Sequence, residues 1–95
     1  MGKVYTDSYS EELTGKLKKI KNKNKALYDI ARKKIDEILN NPERSYKNLR
    51  YDLSDFKRVH LLKSFVLIFK IDTKNKVIRF EDLDHHDKIY KKRYF

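Results

Sequence analysis

Two stretches of this chain gather residue types that can move protons. Asp84-His85-His86-Asp87-Lys88-Ile89-Tyr90 places two of the three histidines, two carboxylates and a phenol within seven positions. Upstream, Phe56-Lys57-Arg58-Val59-His60-Leu61 alternates, so a strand there sets Phe56, Arg58 and His60 on one face and Lys57, Val59 and Leu61 on the other. An unperturbed imidazole titrates near 6.5 and a phenol near 10, which makes His85 or His86 a better proton carrier at neutral pH than Tyr90. A metal site is the weaker reading. Adjacent His85 and His86 project about 100° apart on a helix and to opposite sides of a strand, and His60 is the one imidazole left to join them. No metal or cofactor is expected. The same seven residues also read as a helix start: Asp84 as cap, Asp87 in the first turn, and Lys88, Lys91, Lys92 and Arg93 toward the negative end of the dipole. On that reading Ile89 and Tyr90 pin the helix to a sheet.

The elements that must position these residues follow from periodicity. Lys3-Val4-Tyr5-Thr6 is β-prone and ends at Asp7, which predicts a first strand. A helix begins at Ser8 or Ser10, with Leu13, Leu17 and Ile20 at i, i+4 and i+7 and Glu11 and Glu12 at its positive end. Asn22-Lys23-Asn24-Lys25 breaks it, and a longer helix follows with Leu27, Ala31, Ile35, Ile38 and Leu39 on one face. Asn40-Asn41-Pro42 ends that helix. Residues 43–54 are polar and expected as loop, anchored by Leu49 and Leu53. After the alternating strand at 56–61, Phe65-Val66-Leu67-Ile68-Phe69-Lys70-Ile71 is nearly all apolar, as a central strand covered on both faces is. Asp72-Thr73-Lys74-Asn75 is a turn, and Lys76-Val77-Ile78-Arg79-Phe80 is a further strand. The order predicts an α+β domain: a helical hairpin packed on a small antiparallel sheet, with a short C-terminal helix.

Composition bounds what such a domain can do. With 95 residues there is one core, since a second would need about twice the length. Cysteine is absent, so neither disulfides nor thiolate metal sites hold the fold. No apolar run is long enough to span a bilayer and the N-terminus lacks a signal-peptide core, so a soluble, cytoplasmic protein is expected. Lys and Arg number 24 against 14 Asp and Glu, a net charge of +10. Residues 16–34 hold nine basic residues and one acidic residue. Such density favours a polyanion through counterion release, and Lys16, Lys18, Lys19, Lys21, Lys23, Lys25 and Lys57 are the candidate nucleic-acid contacts.

The order of elements, the Leu17-Lys18-Lys19-Ile20 pattern of the first helix, Arg58-Val59-His60-Leu61, the Phe65–Phe69 strand and, above all, His85-His86-Asp87-Lys88-Ile89-Tyr90 resemble the RelE/ParE superfamily of toxins from type II toxin–antitoxin systems. The resemblance covers almost the whole chain, and its specificity resides in the two histidine-bearing motifs. It implies a helical hairpin on an antiparallel sheet and a ribosome-dependent endoribonuclease that cuts messenger RNA in the A site. An acidic antitoxin, encoded by an adjacent gene, would hold it inactive. Arg58, His60, His86 and Tyr90 match the family's catalytic positions, with His85 in support. In the metal-free reaction the 2′-OH attacks phosphorus, so a base, an acid and cations for the developing phosphorane are needed. Two positions depart from the pattern: Val66 and Asp84 stand where the family carries arginines. Lys63 in a turn and Arg79 on the last strand are the cations available to replace them. The departures leave two alternatives, a ParE-like toxin that inhibits DNA gyrase without cutting RNA, and an inactive or plain nucleic-acid-binding member of the fold.

Overall fold

The computed structural model describes residues 5–50 and 53–91, with the side chains of 49, 50 and 53–55 excepted. The element order is β1 (Thr6–Tyr9), α1 (Glu11–Lys23), α2 (Lys25–Asn40), β2 (Lys47–Arg50), β3 (Leu53–Leu61), β4 (Phe65–Asp72), β5 (Val77–His85) and α3 (His86–Lys91). Residues 3 and 4 of the expected first strand, the side chains of Leu49 and Leu53, and Lys92 and Arg93 lie outside the described residues.

Local chemistry explains the helix boundaries. Ser10 caps α1, its Oγ accepting from the Leu13 N–H at 3.0 Å while donating to the Glu81 carbonyl at 2.6 Å. Asn24 separates α1 from α2 single-handed: its own N–H closes α1 on the Ile20 carbonyl at 2.8 Å, and its Oδ1 caps α2 by accepting from the Leu27 N–H at 3.1 Å. The first strand runs to Tyr9 rather than stopping before Asp7, because Tyr9 pairs with Phe80 and stacks on its ring at 5.4 Å.

The sheet is five-stranded in the order β1-β5-β4-β3-β2. The α+β class is as expected, but the sheet is mixed: β2 to β5 are antiparallel neighbours, whereas β1 pairs parallel to β5. Two other expectations are corrected. Residues 47–50 form an edge strand on β3 instead of loop, with Lys47 opposite Arg58 and Asn48 opposite Lys57. Asp84 does not cap the last helix, because β5 continues through it: Asp84 pairs with Val66 and His85 with Phe65, so α3 begins at His86.

The central strand β4 divides the core. Leu67 and Phe69 join Leu13, Ala31, Ile35, Ile38, Leu61, Ile78 and Phe80 beneath the two long helices. Val66 and Ile68 face the other way, into a smaller cluster with Phe56 and Ile89 of α3. A register shift between Ile68 and Phe69 leaves Glu81 as an extra residue in β5, a bulge. Paired residues share a face. Asp82 and Asp84, opposite Ile68 and Val66, therefore lie on the α3 side of the sheet.

Candidate active site

The ends of β3 and β5 converge beside α3. His60, opposite Val66 on β3, and His86, the first residue of α3, stack with ring centroids 6.1 Å apart. Tyr90, one helical turn beyond His86, meets it edge-on at 4.7 Å. The His86 amide donates to the Ser64 carbonyl at 2.7 Å, which ties the start of α3 to the β3–β4 turn. His60, Lys63, Ser64, His85, His86 and Asp87 line a cleft of about 360 Å³. A second cleft of about 330 Å³ shares His60 and continues past Arg58 to Lys47, Tyr46, Arg44 and Lys34. His60 therefore stands between two depressions, one bordered by Lys63 and Asp87, the other by Lys34, Arg44, Lys47 and Arg58 with Glu37.

The electrostatics assign the rings different characters. Partial burial, then the Arg58 guanidinium, His86 and Lys47 hold His60 below the ordinary imidazole value, so it is neutral at physiological pH. A neutral imidazole accepts a proton. Asp87 Oδ1 lies 3.4 Å from His86 Nδ1, a loose contact from which a carboxylate orients the ring. The Arg58 guanidinium is partly engaged, its Nε donating to the Asn48 carbonyl of β2 at 3.0 Å, which leaves its terminal nitrogens as donors. His85 packs on Phe65 at 4.4 Å and borders the cleft.

Of the two substitute cations, Lys63 borders this cleft and Arg79 does not. Arg79 pairs with Lys70, four residues further along β4 than Val66, hence about 13 Å away along the strand, and is bound to Glu81 at 2.7 Å and Ser8 at 3.3 Å. Among the expected nucleic-acid contacts, Lys18, Lys19, Lys21, Lys23 and Lys25 are exposed on the helical layer, across the sheet from the ring cluster. Lys57 Nζ donates to Asn48 Oδ1 at 2.6 Å. Lys16 is not the free cation that the charge pattern suggests: its ammonium lies 2.6 Å from Asp82 Oδ1 and 2.9 Å from Asp84 Oδ2. Burial works against that charge, yet the two carboxylates outweigh it and raise the Lys16 pKa. Burial also pushes Asp84 upward, but hydrogen bonds from Lys16 and the His85 amide hold it below the ordinary value.

Lys34, Arg44 and Lys47 border the second cleft and were not singled out in the sequence. Lys34 lies on α2, Arg44 before β2 and Lys47 on β2, and no local pattern in Lys47-Asn48-Leu49-Arg50 marks a strand, so only the fold brings the three together.

Fold and site together define a class: a small basic α+β protein presenting two imidazoles and a phenol at the end of a sheet, between two clefts. No protein-family model matches the chain. A Methanocaldococcus jannaschii protein named "Putative toxin RelE4" is 52% identical over 77 residues, 81% of each chain. Among solved structures, a YoeB/ParE toxin from Agrobacterium tumefaciens superposes with a TM-score of 0.75 at 6% identity, over 85% of this chain and 98% of that one. The E. coli DinJ–YafQ toxin–antitoxin complex gives 0.75 at 18%, over 90% and 97%. The chain belongs to the RelE/ParE-type toxin superfamily. No helix among the described residues is long and apolar enough to cross a membrane.

Proposed function

We propose that this chain is the toxin of a toxin–antitoxin pair and that it cleaves messenger RNA in the ribosomal A site by attack of the 2′-OH on the adjacent phosphorus. The observation that carries the reading is the convergence of His60, His86 and Tyr90, rings 6.1 and 4.7 Å apart, beside Arg58 and Lys63. Neutral His60 is suited to take the 2′ proton, and His86, oriented by Asp87, to protonate the departing 5′-oxygen. The products are then a 2′,3′-cyclic phosphate and a 5′-hydroxyl. Arg58 and Lys63 would stabilise the phosphorane, and Tyr90 would stack on a base or hold the ring of His86. The ribosome supplies alignment of the 2′-OH with the scissile bond, and the exposed lysines of α1 supply attraction to its RNA. An acidic antitoxin segment suits the +10 charge and would mask α3 and the cleft.

Mapping 5′ ends on a messenger incubated with and without programmed ribosomes tests the reading. New 5′-hydroxyl ends inside A-site codons are expected with ribosomes only, and His86→Ala and Tyr90→Ala are expected to remove them, His86→Ala by about 10²- to 10⁴-fold. Undiminished cleavage or toxicity in the folded double variant would sink it. One observation favours a second reading: Val66 is fully buried and Asp84 is bound to Lys16, so the two positions that depart from the superfamily's arginines cannot serve as surface cations. A ParE-like toxin that blocks gyrase would arrest growth with a DNA-damage response and intact messenger.

A further inference from the structure

The strand that delivers His86 outruns its neighbour. β1 pairs with β5 only as far as Tyr9 opposite Phe80, so residues 81–85 have β4 on one side and, among the described residues, no strand on the other. On that open edge the Ser10 Oγ takes the Glu81 carbonyl at 2.6 Å, and the amides of Leu83 and His85 turn to side chains, donating to Asp82 Oδ1 at 2.8 Å and Asp84 Oδ1 at 2.7 Å. Both carboxylates also receive the Lys16 ammonium, at 2.6 and 2.9 Å, with Glu12 of α1 at 3.7 Å beyond it. Asp82 is fully buried, a place where a carboxylate persists only with its charge compensated. One side chain from α1 thus does for the overhang what β1, ending at Tyr9, does not reach to do.

We propose that Lys16 is a positioning residue for the cleavage site: gripping Asp82 and Asp84 across the open edge of β5, it fixes the strand end from which His86 is held against His60 and Tyr90. The inference rests on the nuclease reading for its catalytic consequence but not for its structural one. Lys16 touches no member of the ring cluster; it acts through Asp84, whose second oxygen holds the His85 amide immediately before His86. A displacement of about 1 Å at such a site is enough to lower turnover by about 10²-fold.

The test is ribosome-dependent cleavage under single-turnover and saturating conditions, together with ring-to-ring nuclear Overhauser contacts between His60 of β3 and His86 of α3 in the free protein. Lys16→Met is expected to lower kcat by 10- to 100-fold, on the order of that displacement effect, with KM unchanged within about threefold, and to abolish the contact between the rings. Lys16→Arg, which can reach both carboxylates, is expected to restore both. Because Lys16→Met withdraws the ammonium from a buried carboxylate, Lys16→Met/Asp82→Asn/Asp84→Asn serves as a second variant: the amide oxygens still accept from Leu83 and His85, so it is expected to fold yet remain slow and lack the ring contact. A triple variant that cleaves at the wild-type rate, or keeps the His60–His86 contact, overturns the proposal. Should the wild type cut no messenger at all, the nuclease reading falls, and the ring contact alone decides whether Lys16 positions His86.

Discussion

The two faces of the sheet are built from the same central strand and have different capacities. Beneath α1 and α2, Leu67 and Phe69 enter a cluster of twelve buried residues drawn from five elements and the segment before β1. On the other face Val66 and Ile68 join, among the described residues, Phe56 and Ile89, with the partly buried Tyr90 packed against them. The thick face holds the chain folded. The thin face carries His60, His86 and Tyr90, the residues proposed to meet the messenger. Segments held by few apolar contacts open at low free energy, and α3, whose buried residue is Ile89, is expected to be such a segment. The candidate site is therefore mounted on the more lightly packed face.

Truncation on each face tests that contrast. Phe69→Ala, in the thick core, is expected to cost about 3–5 kcal/mol and to lower the urea midpoint of the whole domain. Ile89→Ala, equally buried but on α3, is expected to fall near the lower end of the range for such truncations, about 2 kcal/mol. Its loss would appear in amide exchange confined to α3, with messenger cleavage reduced before α1 and α2 are affected. Equal global destabilisation by the two variants, with exchange accelerated uniformly, would remove the distinction between the faces.

What the sequence discloses divides along a similar line. The helices were legible because Leu13, Leu17 and Ile20, and Leu27, Ala31, Ile35 and Ile38, repeat at the helical period, and β3 and β4 because one alternates and the other is uninterrupted. The Arg58 and His60 face and the i, i+4 relation of His86 to Tyr90 are local, and both are present in the fold. The misreadings all involve distant partners. β2 is four residues long and polar, a strand only because β3 pairs with it. Parallel pairing of β1 with β5 depends on contacts 71 positions apart. Asp84 has the local signature of a helix cap, but an ammonium 68 residues away and pairing with Val66 keep it in the strand. Lys16 shows the same conflict, counted among the candidate nucleic-acid contacts although it stands one residue before Leu17 on the side of α1 that reaches β5.

The smallest expected effect is also the most direct probe of the site's electrostatics. His60 titrates below the ordinary imidazole value of about 6.5 because it is partly buried and faces Arg58, His86 and Lys47. The unfolded chain, free of those neighbours, takes up the proton more readily, so between the two values it binds more protons than the native state. Stability from this group is therefore present above about pH 6.5 and lost as pH falls through the lower native value. The slope is shallow, since His60 is largely exposed and its neighbours are screened by solvent. Arg58→Gln removes the foremost cationic neighbour of His60 while leaving the ring's packing intact. Its expected consequence, followed by imidazole resonances across a pH titration, is a rise of the His60 pKa toward 6.5, together with a weaker dependence of stability on pH. A His60 pKa unmoved by Arg58→Gln would mean that Arg58 is not what holds it down, and the base proposed for the 2′ proton would then owe its neutrality to burial together with His86 and Lys47.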